Sequence, residues 1–90
     1  MVLLISYDLN GHERPEAYDD VAHVIRTNAI SYRKPLYSQW LVETNESCYS
    51  WHEKIKAATD ANDYWFICPV GATRQGWLPK ETWDWLNDRT

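Results

Sequence analysis

The residues best placed to do chemistry are Asp8 and His12. An uninterrupted apolar run, Val2-Leu3-Leu4-Ile5, gives way to Tyr7-Asp8-Leu9-Asn10-Gly11. A carboxylate at the exit of the most apolar segment is either punctuation, because Asp caps turns through its own side chain, or a ligand. One carboxylate is a poor magnesium site. Two, brought together by a two-fold axis, would hold one ion among several waters. Such an ion would polarise a phosphodiester and lower the pKa of a water. His12 has the chemistry of a general base or a phosphate contact if its loop borders Asp8. The plainer reading is a solvated loop histidine.

A second group surrounds Pro35. Tyr32, Arg33, Lys34 and Tyr37 combine charge with aromatic faces at one bend. That combination grips a phosphate and stacks a base, or it is an edge strand kept from pairing by its charges and its proline. A third group is aromatic. Trp77, Trp83 and Trp85 offer a surface for a partner. Trp83 and Trp85 are two positions apart, so both cannot face inward from one helix. One is expected to pack on Trp77 and the other to meet a second chain or solvent.

The elements that must position these residues follow from periodicity. The 90 residues make one domain spanning 1–90, burying roughly 60–65% of its unfolded surface. Residues 2–8 read as a strand apolar on both faces. Pro15 suits a first helical turn, Glu16, Asp19 and Asp20 favour its positive end, and Tyr18, Val21, Ala22, Ile25 and Ala29 form one apolar face. A helix over 15–28 is therefore expected. Residues 31–43 are extended, with a bend at Pro35 and a strand at 36–43. Leu36, Ser38, Trp40 and Val42 should share one face of it, and Tyr37, Gln39, Leu41 and Glu43 the other. A second helix ends near Thr59; its start lies after the turn Thr44-Asn45-Glu46-Ser47, which holds capping residues, or at Ser50, which has capping-box spacing to Glu53. Tyr64 to Cys68 is another strand apolar on both faces, Trp77-Leu78 a candidate short strand, and Pro79 to Asn87 a last helix. This order is that of an α+β, ferredoxin-like βαββαβ sandwich with a short C-terminal helix. Two helices would cover one face of the antiparallel sheet, leaving the other open for a second copy, so a homodimer is expected.

Composition narrows the function. The formal charge of −4 argues against strong non-specific nucleic-acid binding. No run of 18 apolar residues spans a membrane, and the apolar start is too short for a signal peptide and has no basic segment before it. A cytoplasmic protein is expected, with Cys48 and Cys68 as free thiols. A Gly-rich phosphate loop, a nucleophile elbow, HExxH and paired CxxC are all missing from the sequence. That argues against a nucleotide hydrolase, a serine hydrolase and a zinc enzyme.

Three stretches carry a resemblance. Leu4-Ile5-Ser6-Tyr7-Asp8-Leu9 resembles the opening strand of the small CRISPR-associated adaptation subunit, the second of the two core adaptation proteins. Leu36-Tyr37-Ser38-Gln39-Trp40-Leu41-Val42 resembles its aromatic-Ser-x-aromatic strand, and Asn62-Asp63-Tyr64-Trp65-Phe66-Ile67 its Asp leading into an apolar strand. Trp77-Leu78 with Trp85-Leu86 is similar to a SinR-like branch, and virulence-associated protein D toxins share the architecture. The resemblance covers most of residues 2–70 in order. It implies a ferredoxin-like homodimer in which Asp8 lies near the two-fold and can hold a divalent metal such as Mg2+. It also implies that Ser38 lies near that axis, within reach of a phosphate or a metal-bound water; the plainer reading is a small residue that permits close packing. The sequence departs from the family at the start of the first helix, where basic residues give way to His12, Glu13, Arg14 and then acids, and in its overall acidity. The expectation is a non-catalytic module that scaffolds a nucleic-acid or protein assembly. The alternatives are a magnesium-dependent endoribonuclease using Asp8 from both chains, and a phage or host-defence protein that binds a protein partner.

Overall fold

The computed structural model describes residues 1–9 and 15–90. His12 therefore lies outside the described residues. The element order is β1 (Val2–Asp8), α1 (Pro15–Asn28), β2 (Ser31–Leu36), β3 (Gln39–Glu43), α2 (Cys48–Ala57), β4 (Tyr64–Pro69) and α3 (Lys80–Arg89). The four strands form one sheet in the order β2-β3-β1-β4, with every neighbouring pair antiparallel. The chain is thus a small α+β protein.

The sheet is two-sided because β1 is apolar on both faces. Leu3, Ile5 and Tyr7 join Trp40 and Val42 of β3 against Ala17, Val21 and Ile25 of α1 and Trp51 and Ile55 of α2. The opposite face starts from Val2 and Leu4, with Leu41 beside them, and there Trp85 and Leu86 of α3 close a second cluster. Each fully buried side chain of this size contributes about 1.5–3 kcal/mol, so α3 is a structural part of the sheet. The expectation that this face stands open is thereby corrected over one half of its length. At the other end the face is not covered by α3: Phe66 is 66% and Tyr64 70% exposed, and Leu36 is half exposed.

Four tryptophans sit against the core because their indole N–H groups find acceptors. Trp40 donates to the Tyr7 hydroxyl at 2.8 Å, Trp51 to Thr44 Oγ1 at 3.0 Å, Trp65 to His52 Nδ1 at 3.0 Å and Trp85 to Ser31 Oγ at 2.8 Å. The start of α2 is set by Ser47, whose hydroxyl accepts from the Ser50 amide at 3.1 Å.

The expected strand over 36–43 is corrected to a hairpin. β2 runs through Pro35 to Leu36, the chain reverses at Tyr37-Ser38, and β3 begins at Gln39. Pro35 is tolerated because β2 is an edge strand, where a missing N–H leaves no ladder partner wanting, and the register shifts between Arg33 and Leu36. Leu36 consequently pairs with Gln39 instead of sharing a face with Trp40. Trp77-Leu78 does not form a strand; residues 70–79 are irregular and are tied to α3 by Arg74, which donates to Asn87 Oδ1 at 2.7 Å and to the Gly71 carbonyl at 2.9 Å. Among the described residues no helix is long and apolar enough to cross a membrane.

Candidate functional site

Asp8 ends β1 on the face that α3 leaves uncovered. Alternation along the strand puts Val2, Leu4, Ser6 and Asp8 on one side. Ser6 pairs with Gln39 and Phe66, and Asp8 with Tyr64. Gln39 Nε2 lies 3.5 Å from Ser6 Oγ. A shallow cleft of about 260 Å³ runs past Asp8 between Ser6, Tyr64 and Phe66. Among the described residues, Ser6 and Gln39 are polar neighbours on this face. Ser38 sits in the hairpin turn instead of a strand, with its carbonyl accepting from the Tyr7 amide at 3.1 Å. Ser6 was legible all along as the residue two before Asp8.

Among the described residues no group of three or more His, Cys, Asp or Glu side chains gathers. The donors at this end of β1 are hard oxygens, a carboxylate from Asp8 and a hydroxyl from Ser6. They are of the type magnesium accepts, and a second carboxylate from another copy would bring them nearer the usual complement.

The expected phosphate-gripping group is divided by the strand that carries it. Arg33 lies with its guanidinium 5.6 Å from the centre of the Trp85 ring on the α3 side. Lys34 reaches the other side, 5.4 Å from the Tyr37 ring and 5.5 Å from that of Trp40. Arg26 of α1 also lies over the Trp40 ring, at 5.4 Å. Tyr37 also packs on Tyr18, their ring centres 5.9 Å apart. Arg26, Lys34 and Tyr37 thus form a basic, aromatic patch that Arg33 does not join. Arg26 carried a weak signal, being the residue beside Ile25 at the margin of the helical apolar face.

The three tryptophans also separate. Trp77 is 99% exposed, Trp83 is half buried against the second cluster, and Trp85, at 4% exposed, is built into its own chain and is not a surface for a partner. Trp77 lies at the mouth of an apolar groove of about 420 Å³ that Leu36, Leu41, Trp83 and Leu86 help to line.

A further groove, of about 470 Å³, lies between α2 and β4 and was not anticipated. Its walls include Tyr49 and His52 of α2, Asp63, and Tyr64 to Ile67. Asp63 is 5% exposed; its Oδ2 accepts from the Asp60 amide at 2.9 Å, while its buried Oδ1 has no hydrogen-bond partner.

Among the described residues three titrating groups have clear shifts with structural causes, one of them the exposed Lys80, whose ammonium pKa is raised by its 2.7 Å bond to Asp84 Oδ2. Burial pushes the Tyr7 hydroxyl above its ordinary pKa of 10.0, the Trp40 hydrogen bond offsetting part of the effect. The Ser50 hydroxyl and the Lys54 ammonium, donating to Glu46 Oε1 at 2.6 and 3.0 Å, hold the Glu46 carboxyl below its ordinary 4.5.

No protein-family model matches the chain, and no curated protein is detectably similar to it.

Proposed function

We propose that the chain is a ferredoxin-like module that works as a homodimer and scaffolds a nucleic-acid or protein assembly, in the manner of the small CRISPR-associated adaptation subunit and its SinR-like and virulence-associated protein D-like relatives. The observation that carries this reading is the half-covered sheet face. α3 closes the end around Val2 and Leu41, while Phe66, Tyr64 and Leu36 stay exposed beside Ser6, Gln39 and Asp8. An apolar patch with a polar margin is the surface a second copy would cover. The strand order, read from the other edge as β4-β1-β3-β2 with all neighbours antiparallel, supports the ferredoxin-like assignment. The patch of Arg26, Lys34 and Tyr37 supports a nucleic-acid partner within an acidic chain.

The second reading, a magnesium-dependent endoribonuclease, is favoured by Asp8 lying at the edge of the same open half, where a two-fold would bring two carboxylates together. Light scattering of the native chain and of Phe66→Glu tests the dimer: a native dimer that the substitution dissociates is expected, and a native monomer overturns both readings. Incubation with single- and double-stranded RNA and with DNA, with and without magnesium or manganese, separates them. Magnesium-dependent cleavage lost in Asp8→Ala replaces the scaffold by the nuclease.

A further inference from the structure

We infer that the groove between α2 and the free edge of β4 receives a Lys or Arg side chain carried on an extended peptide segment. The groove shares Tyr64 and Phe66 with the half-covered sheet face, but Tyr49, His52, Asp63 and Trp65, which carry the inference, lie on its helix side.

The shape of the groove indicates the extended backbone. Four consecutive residues, Tyr64 to Ile67, line it. Consecutive side chains of a strand point to opposite faces, so a cavity touching all four runs along the strand's edge. β4 is the outermost strand on that side and carries no charge along Tyr64-Trp65-Phe66-Ile67-Cys68. The other edge, β2, carries the charges of Arg33 and Lys34 and an internal Pro35, which discourage pairing, whereas the proline of β4, Pro69, stands at its last position. An unguarded edge accepts an extended chain through main-chain hydrogen bonds, with alternate side chains entering the flanking pockets.

The walls indicate a cation. The rings of Tyr49, His52 and Trp65 form a staircase, with centres 6.0 Å and 5.5 Å apart. His52 accepts the Trp65 N–H on Nδ1, and the π faces of Tyr49 and Trp65 attract positive charge. Asp63 supplies the anion. It is 5% exposed, it forms part of the wall, and its Oδ1 is buried with no donor. Ammonium and guanidinium groups bring positive charge and donors but no acceptors, which suits a wall holding a carboxylate that no described cation pairs with. Lys56 lines the adjoining pocket that shares Asp63 and Trp65, yet it makes no bond to Asp63 Oδ1, and no Lys or Arg is found among the described residues lining the groove itself. A nucleotide would also stack here, but its phosphate would be set against Asp63 and Glu53, the latter 3.7 Å from His52 Nε2.

The test follows the Trp65 indole N–H resonance of the full chain. It is titrated with acetyl-Val-Arg-Val-amide, with the same peptide carrying citrulline for arginine, with spermidine and with cytidine monophosphate. Saturable shifts at Trp65, several-fold tighter for the arginine peptide than for the citrulline peptide, are expected, and both Tyr49→Ala and Asp63→Asn should weaken them several-fold. Should Asp63→Asn fail to fold, Tyr49→Ala, at an exposed position, decides. Equal binding of the citrulline peptide, spermidine binding at least as tightly as the arginine peptide, preference for the nucleotide, or no saturable shift would each overturn the proposal.

Discussion

The indole N–H of Trp40 donates to the hydroxyl of Tyr7 at 2.8 Å in the core between the sheet and its two helices. The bond joins neighbouring strands, since β1 and β3 pair beside it. Removing the hydroxyl in Tyr7→Phe strands a buried donor, which costs about 1–3 kcal/mol. Urea denaturation should show that loss, whereas Tyr37→Phe, at an exposed ring, should stay within about 0.5 kcal/mol of the native chain.

The same hydroxyl makes stability sensitive to alkali. The folded pKa of Tyr7 lies above the ordinary 10.0, so as pH rises past that value the unfolded chain releases its proton first. The folded state then binds more protons than the unfolded one, and stability falls with rising pH. Denaturation midpoints measured on both sides of that pH should decline for the native chain, and less steeply for Tyr7→Phe.

Glu46 has the opposite sign. Its folded pKa lies below the ordinary 4.5, through the Ser50 and Lys54 bonds. The stabilisation is present above that value and is lost as pH falls through the folded pKa. The pair is partly solvent-screened, so Glu46→Gln should cost less than about 1 kcal/mol. The measurable outcome is a smaller acid-side loss of stability in the variant.

Trp77 and Trp85 should behave in opposite ways although both were read as partner contacts. Trp85→Ala removes a buried ring and the bond to Ser31, a change worth about 3–5 kcal/mol, and should loosen α3 from Val2 and Leu41. Circular dichroism melting would show it. Trp77→Ala should leave melting unchanged, because its side chain lies in solvent. If Trp77 contributes to the dimer, light scattering will show a weaker one.

What could be read beforehand was whatever depends on local periodicity. α1 occupies the residues its apolar spacing requires, and Pro79 precedes α3 as the reading of a helix-opening proline suggests. The hairpin at Tyr37-Ser38 was misplaced because Pro35 is a strong local breaker, yet it is harmless on an edge strand, and which strand is the edge is a property of the whole sheet. The same holds for Arg33 and Lys34. Neighbours in sequence are parted by the strand's two faces, and Lys34 shares the Trp40 ring with Arg26, which lies eight residues upstream on α1. Asp63 was noticed as the start of an apolar strand, but its unsatisfied oxygen belongs to tertiary packing and left no trace in residue type.

The two margins of the sheet differ, with arginine and lysine along β2 and an uncharged row, ended by Pro69, along β4. A sheet with both margins open can grow without limit. One with a single open margin can be joined only once from that side, because whatever copy joins it turns its own guarded margin outward. At high concentration this asymmetry favours edge-to-edge assemblies that stop at a pair over filaments.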